Sequence, residues 1–162
     1  MRESERNVGE EHPLGDKLQG LMLVLFLVVW GLDSFVYKYS TYGVLVPLPI
    51  RVLFAGATAV FAVYLLRGAH RLVIDEPPIG SRVIDKGVYS LVRHPMYLGS
   101  LLVYLSLVIA TLSAASLVLF FVVFVMYDVL ASYEETDLLR IFGEDYEEYR
   151  RRVRKWIPTI LM

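Results

Sequence analysis

The stretch Arg93-His94-Pro95 places a cation, an imidazole and a proline where a polar segment meets a long apolar run. A guanidinium binds carboxylate or phosphate in a two-pronged geometry, and an imidazole can donate, accept or carry a proton near neutral pH. Proline fits the first turn of a helix, whose free amides attract anions. Further along the chain, the carboxylates of Glu134 and Glu135 could hold an ammonium or sugar hydroxyls. Together these groups suit a zwitterionic ligand.

Each of these residues also has an ordinary structural explanation. Arginine at a helix end often extends to the lipid headgroups, and a pair of glutamates often ends a helix in solvent. Two other charges, Asp33 and Arg51, lie at similar depth in two apolar runs, and we predict an ion pair between them rather than a catalytic role. Asp128 shares a helix face with Glu135, so it either lines the same cavity or forms hydrogen bonds within the bundle.

The composition predicts an all-α integral membrane protein. Hydrophobic residues make up 56% of the 162 residues, and the mean hydropathy is +0.53, well above that of ordinary soluble domains. The chain has no cysteine, which excludes disulfides and a thiolate nucleophile, and with three histidines we predict no metal site. A net charge of −1 gives no general basic field for nucleic acid.

Four apolar runs predict about four transmembrane helices, since a span needs about 20 apolar residues. The predicted spans are residues 18–37, 46–66, 96–112 and 115–133. Residues 1–17 are predicted to be a disordered polar tail, and residues 18–162 a single membrane domain that ends in a cytoplasmic segment, 134–162. Within that segment, Glu144–Trp156 has the pattern of an amphipathic helix, with Tyr146, Tyr149, Val153 and Trp156 on one face.

The positive charges predict the orientation. Four spans put both termini and the loop before Arg93 on one face, and this face carries all of the 16 Lys and Arg residues except Lys38 and Arg51. The positive-inside rule makes that face cytoplasmic. Only a short turn separates the third and fourth spans, so the two form a hairpin. The hairpin brings Arg93-His94 next to Glu134-Glu135 on the predicted cytoplasmic face.

The pattern as a whole resembles the isoprenylcysteine carboxyl methyltransferase family and the wider group of membrane phospholipid N-methyltransferases. The matching elements, in chain order, are Gly87-Val88-Tyr89, Arg93-His94-Pro95-Met96-Tyr97-Leu98-Gly99, the hairpin, Glu134-Glu135, Phe142-Gly143-Glu144-Asp145-Tyr146-Glu147-Glu148-Tyr149 and Ile157-Pro158. Membrane steroid and sterol reductases, which bind NADPH, have a related C-terminal layout and are one alternative. A non-enzymatic membrane scaffold or small transporter is another.

The resemblance implies binding of S-adenosyl-L-methionine and methyl transfer to a lipophilic acceptor that enters from the bilayer. The predicted cofactor residues are Tyr89, His94, Pro95, Tyr97, Gly99, Glu134 and Glu135. The predicted catalytic residues are Arg93, His94 and Glu135, and the predicted acceptor-binding residues are Arg82, Arg150 and Arg151.

The acceptor predicted by the resemblance is the carboxylate of an isoprenylcysteine-like molecule, with a phospholipid headgroup amine as the alternative. A carboxylate is already ionised at neutral pH and needs only an orienting cation. An amine must first lose a proton, for which His94, Glu134 or Asp128 are candidate acceptors.

Overall fold

The computed structural model describes residues 13–75 and 82–158. These residues form five α-helices: α1 (Pro13–Gly31), α2 (Leu48–Asp75), α3 (Pro95–Thr111), α4 (Ala114–Phe142) and α5 (Glu144–Arg152). A π-helical stretch, Leu32–Tyr37, continues α1, and short 3-10 turns lie at Gly43–Leu45 and Gly87–Ser90. The predicted all-helical class is confirmed for the described residues. Helix α1 already includes residues 13–17 of the predicted tail, whereas residues 1–12 lie outside the described part.

Three helices are long and apolar enough to cross a membrane. They cover Lys17–Tyr37, Leu48–Ile74 and Ala114–Phe142, whereas α3 is apolar but only 17 residues long. At 1.5 Å per residue α3 reaches about 25 Å, slightly less than the hydrocarbon thickness of about 30 Å. The protein is therefore a multi-pass membrane protein, and residues 13–75 and 82–158 contain three helices of full spanning length and one shorter apolar helix.

Hydrogen bonds at the end of the bundle far from Pro95 show that the four long helices alternate in direction. Arg51, near the start of α2, donates through Nη1 to the carbonyl of Ala110 at the end of α3 (2.7 Å). Asp33, in the π-helical end of α1, accepts from the hydroxyl of Ser113 (2.6 Å), which lies directly before α4. Consequently the first residue of α3 and the last turns of α4 share the opposite face.

The predicted ion pair between Asp33 and Arg51 is wrong, because each charge has its own partners. The carboxylate of Asp33 binds Ser113 and also accepts from the hydroxyl of Ser40 (2.7 Å). Arg51 binds the carbonyls of Val46 and Ala110. A carboxylate therefore lies at the N-terminus of α4 and a guanidinium at the C-terminus of α3, as the dipoles of the two helices favour.

Close packing of α3 on α2 and an aromatic core hold the bundle together. A Cβ atom at Gly99 would lie 2.7 Å from Cγ of Leu66 and 3.2 Å from the carbonyl oxygen of Ala62, so only glycine permits this approach. The main core lies between α1, α3 and α4, where an edge-to-face pair joins Phe26 to Tyr104 with ring centroids 4.7 Å apart. Its buried members are Phe26, Leu101, Tyr104, Val108, Val123 and Tyr127.

Helix α5 is shorter than the sequence predicts. It ends at Arg152, and Val153 is extended, with φ −113° and ψ 132°. The chain leaves the helix here because the next residues pair with the start of α3: the backbone N–H of Arg93 donates to the carbonyl of Arg154 (3.0 Å). Tyr146, Tyr149 and Val153 do share a buried face, but Trp156 packs against the main core instead.

Candidate active site at the ends of α3 and α4

The length of α4 places the two glutamates at the membrane surface. The helix has 29 residues, and about 20 of them suffice to cross a hydrocarbon layer of about 30 Å. Counted from Ala114 at the far side, the crossing ends just before Glu134. Because α3 begins at the same face, Pro95 fixes the first turn of α3 at the level of this acidic pair.

His94 lies between the two carboxylates. Its Nε2 is 3.0 Å from Oε1 of Glu135, and its Nδ1 is 3.5 Å from Oε2 of Glu134. The imidazole is buried, with its side chain only 6% exposed, whereas the side chain of Glu134 is 48% exposed. The three residues therefore form a cluster that is buried on one side and open to the aqueous face on the other.

The geometry favours the protonated form of His94. Burial by itself lowers the pKa of the imidazole, but hydrogen bonds to Glu134 and Glu135, together with their charges, outweigh burial and raise it. Only an imidazolium can donate from both ring nitrogens at once. Nε2 of His94 is hydrogen-bonded to Glu135, and Nδ1 lies 3.5 Å from Glu134, so both ring nitrogens face carboxylates, which favour the imidazolium.

Two tyrosines complete the open side of the cluster. The hydroxyl of Tyr97 donates to Oε1 of Glu134, and the ring of Tyr97 stacks on His94 with centroids 5.8 Å apart and planes 11° apart. Burial and the charge of Glu134 raise the pKa of Tyr89 to about 12, so its hydroxyl stays protonated at neutral pH. The backbone carbonyl of Tyr89 accepts from the hydroxyl of Tyr149 (2.7 Å), which ties α5 to the site.

Arg93 connects the acidic pair to the C-terminal segment. Its Nε is 3.0 Å from Oε1 of Glu135, but the N–H does not point at that oxygen, so this contact is ionic and not a hydrogen bond. Its Nη1 donates to the backbone carbonyls of Arg150 (3.0 Å) and Val153 (3.3 Å). The guanidinium is thus a structural link between Glu135 and the end of α5, which makes it a positioning residue for the cluster.

The structure adds two residues that sequence reasoning did not assign to the site, Lys155 and Trp156. Nζ of Lys155 lies 2.6 Å from Oδ1 of Asp128, and the same oxygen accepts from the indole N–H of Trp156 (2.8 Å). The centroid of the Trp156 ring is 6.1 Å from that of His94. The sequence signal that could have identified these two residues is Asp128 itself, because a carboxylate within an apolar run needs a partner.

Of the other residues predicted for the site, two lie on α3, and three are arginines of α5 and of the loop before α3. Pro95 is buried as the first residue of α3, and Gly99 faces α2, where it permits helix packing. The side chains of Arg150 and Arg151 lie beside Glu147 on α5, 3.9 and 3.7 Å from its carboxylate oxygens. Arg82 lies in the loop before α3, beside a small surface cavity lined by residues 82–86. The structure therefore brings Arg93, His94, Tyr97, Glu134 and Glu135 together, with Tyr89 close by, whereas the side chains of Arg150 and Arg151 contact Glu147 on α5.

This donor set fits the polar part of S-adenosyl-L-methionine. The partly exposed carboxylate of Glu134 can accept hydrogen bonds from an ammonium or from ribose hydroxyls. The rings of Tyr97 and Trp156 lie against His94, and the ammonium of Lys155 lies 5.7 Å from the centroid of the Trp156 ring. These are properties of the residues present, and they support the sequence prediction of a zwitterion site.

The fold and the cluster define a membrane protein with a polar site at the ends of a helical hairpin, and sequence comparison assigns it to a family. A family model described as phospholipid methyltransferase matches residues 50–145, more than half of the chain. The chain belongs to this family. The matched region contains both halves of the cluster, from Tyr89 to Glu135, and the family resemblance predicted from the sequence is confirmed.

Individual relatives carry the names of two kinds of methyltransferase. The chain is 29% identical over 149 residues to methanethiol S-methyltransferase 1 of Bradyrhizobium diazoefficiens, covering 84% of this chain and 51% of the relative. It is 44% identical over 72 residues to a methanethiol S-methyltransferase of Crocosphaera subtropica, covering 44% of this chain and 28% of the relative. It is 33% identical over 79 residues to the protein-S-isoprenylcysteine O-methyltransferase of Schizosaccharomyces pombe, covering 48% of this chain and 34% of the relative. The chain spans about half the length of the first relative and less of the other two.

Proposed function

We propose that the protein is an integral membrane methyltransferase that uses S-adenosyl-L-methionine and acts on a lipophilic acceptor at the cytoplasmic face. The observation that carries the proposal is the cluster of His94, Glu134 and Glu135, which joins the two ends of the hairpin within the region that matches the family. The charge asymmetry of the chain supports the cytoplasmic placement of this cluster and of both termini.

The residues have distinct roles in this proposal. Glu134 and Tyr97, on the open side, bind the ammonium and hydroxyl groups of the cofactor. His94 and Arg93 hold Glu135, and through it the end of α4, against the start of α3. When bound, S-adenosyl-L-methionine would supply a methyl group attached to a positively charged sulfur. An acceptor atom would attack the methyl carbon in line with the sulfur, which leaves as the thioether of S-adenosylhomocysteine. The chain has then mainly to align the two reactants and exclude water.

The state of His94 favours an acceptor that does not need the site to remove a proton. The carboxylate of an isoprenylcysteine-like molecule meets this condition, because it is ionised at neutral pH. A thiol is mostly protonated at neutral pH, so its proton must pass to water before the thiolate attacks; the relatives named methanethiol S-methyltransferase favour this second candidate. A phospholipid amine must also lose a proton, and both nitrogens of His94 face carboxylates, so neither is free to accept it.

Calorimetry with S-adenosylhomocysteine tests the cofactor site. The purified protein in detergent is titrated beside His94→Ala, Glu135→Ala and a control, Glu147→Ala, whose carboxylate lies on the exposed surface of α5. We expect binding by the wild type and the control and a loss of at least about tenfold in the two site variants, since a charged hydrogen bond contributes about 1.5–3 kcal/mol. Absence of binding by the wild type, or unchanged binding by both site variants, contradicts the proposal. Binding of NADPH instead would favour the reductase alternative.

Product analysis tests the acceptor. The protein is incubated with S-adenosyl-L-methionine and one of three probes, an S-prenylated N-acetylcysteine, a 1-alkanethiol or phosphatidylethanolamine, and methylated products are detected by mass spectrometry. A methyl ester from the first probe or a methyl thioether from the second supports the proposal and identifies the acceptor. Methylation of phosphatidylethanolamine alone would refute the reasoning from His94.

A further inference from the structure

The non-helical residues after α5 insert an aromatic side chain beside the cluster. Trp156 packs against the main core and lies next to Phe124 of α4, with ring centroids 5.5 Å apart. On its other side is His94, at 6.1 Å between ring centroids. Trp156 therefore lies between the polar cluster and the apolar part of α4.

A polar anchor fixes the position of this side chain. The indole N–H donates to Oδ1 of Asp128, which also binds Nζ of Lys155. Nζ of Lys155 donates in addition to the carbonyl of Asp128 (3.0 Å) and to the hydroxyl of Ser132 (2.8 Å). Asp128 lies about 9 Å below the level of Glu134, on the membrane side, by the rise of an α-helix. A charge at this depth is costly unless it is paired, so the pair holds Trp156 at one place.

Aromatic rings fill the space below His94 in the described residues. Tyr97 and Tyr127 pair with centroids 5.1 Å apart, and Trp156 and Phe124 lie beside them. The apolar chain of an acceptor that approaches the polar cluster from the membrane side meets these rings. Of the four rings, only that of Trp156 belongs to a segment outside the long helices.

We propose that Trp156 is a specificity residue, which forms the membrane-side wall of the acceptor site and limits the apolar chain of the acceptor to a short one. This inference rests on the proposed function and deepens it, since it favours small thiols over prenylated acceptors. Asp128 and Lys155 act through Trp156 as positioning residues. The structure assigns them no contact with the reacting atoms.

Relative rates with acceptors of different chain length test the proposal. Methyl transfer to ethanethiol and to decanethiol is compared in the wild type, Trp156→Ala and the matched control Trp30→Ala. The indole of Trp30 is also hydrogen-bonded, to the carbonyl of Leu107 (3.1 Å), but lies at the far end of the bundle. We expect the wild type to prefer ethanethiol, and Trp156→Ala to shift the ratio of kcat/KM towards decanethiol by at least about tenfold, the scale on which hydrophobic pockets discriminate. The control should leave the ratio unchanged.

A second readout does not depend on turnover. The chain has two tryptophans, so Trp30→Phe leaves Trp156 as the only indole and Trp156→Phe leaves Trp30. Addition of ethanethiol in detergent should change the fluorescence of Trp156 and saturate, while the fluorescence of Trp30 stays constant. The Trp156→Phe variant also serves the rate comparison if Trp156→Ala does not fold, with a smaller shift in the same direction.

The outcomes separate the two proposals. Failure of the wild type to bind S-adenosylhomocysteine overturns the proposed function and this inference with it. The inference alone is overturned if the protein binds S-adenosylhomocysteine but the ratio of kcat/KM for ethanethiol and decanethiol is unchanged in the Trp156 variants. Equal fluorescence changes at Trp30 and Trp156 also overturn it.

Discussion

Replacing Glu135 by glutamine should destabilise the end of the bundle that carries the polar cluster. The carboxylate accepts from His94 at 3.0 Å and lies 3.0 Å from Nε of Arg93, with side-chain exposures of 6% for the histidine and 12% for the other two residues. Glutamine keeps the shape but removes the charge that both cations face. A hydrogen bond to a charged group contributes about 1.5–3 kcal/mol, so we expect a loss of about 2 kcal/mol in the free energy of unfolding. For a chain of this length that lowers Tm by about 6 °C.

The pH dependence of the same variant tests the reasoning from charge. Burial lowers the pKa of His94, but hydrogen bonds and the charges of Glu134 and Glu135 raise it above the ordinary 6.5. Stability from protonation of His94 is therefore complete below about pH 6.5, the unfolded value, and is lost as pH rises through the higher pKa of the folded state. The Tm of the wild type should fall over this window. Glu135→Gln should flatten the fall, because one of the two carboxylates that raise the pKa is gone.

Thermal unfolding in detergent, followed by intrinsic fluorescence at several pH values, measures both effects. The matched control is Glu147→Gln, the same chemical change at an exposed carboxylate 3.9 Å and 3.7 Å from two arginines of α5. Such surface pairs contribute about 0–1 kcal/mol, so the control should change Tm little and keep the pH dependence of the wild type. Equal shifts in Tm for the two variants, or the same pH profile in Glu135→Gln as in the wild type, would refute the assignment of His94 as a cation held by the two carboxylates.

Two further substitutions, each with a matched control, test a packing contact and a hydrogen bond outside the charged cluster. Gly99→Ala should lower the free energy of unfolding by about 1–3 kcal/mol, the usual cost of overpacking, since its Cβ would lie 2.7 Å from Leu66. The control is Gly56→Ala, at a helical position where no atom lies within 4 Å of the added Cβ, and it should stabilise α2 slightly. Equal destabilisation by Gly99→Ala and Gly56→Ala would contradict the packing argument. Tyr149→Phe removes a 2.7 Å hydrogen bond to the loop before α3 and should cost about 1 kcal/mol. Tyr133→Phe, at a ring that is 68% exposed, is the control in the same unfolding assay, and an equal loss there would count against a role for the Tyr149 bond.

Much of the site could be predicted because its signals are local or follow from topology. Apolar runs of sufficient length predicted the helices, and the short turn before α4 predicted a hairpin, which necessarily brings its two ends together. That Arg93-His94 and Glu134-Glu135 lie at the same end of the bundle follows from these two facts. The helix bounds were less certain: α5 ends four residues earlier than predicted, because Arg154 pairs with Arg93 across the fold, and periodicity carries no information about such a partner.

The sequence by itself determined the class of the protein, the number and order of its helices, and the types of residue that meet at one face, because hydrophobicity and length dictate membrane insertion. Only the tertiary structure decided which partner each charge binds. Asp33 and Arg51 bind groups at opposite helix ends instead of each other, and Asp128 anchors Lys155 and Trp156. The reason is that electrostatic partners are chosen by distance and direction within the packed bundle, to within about an ångström, and the spacing of residues along the chain does not specify this.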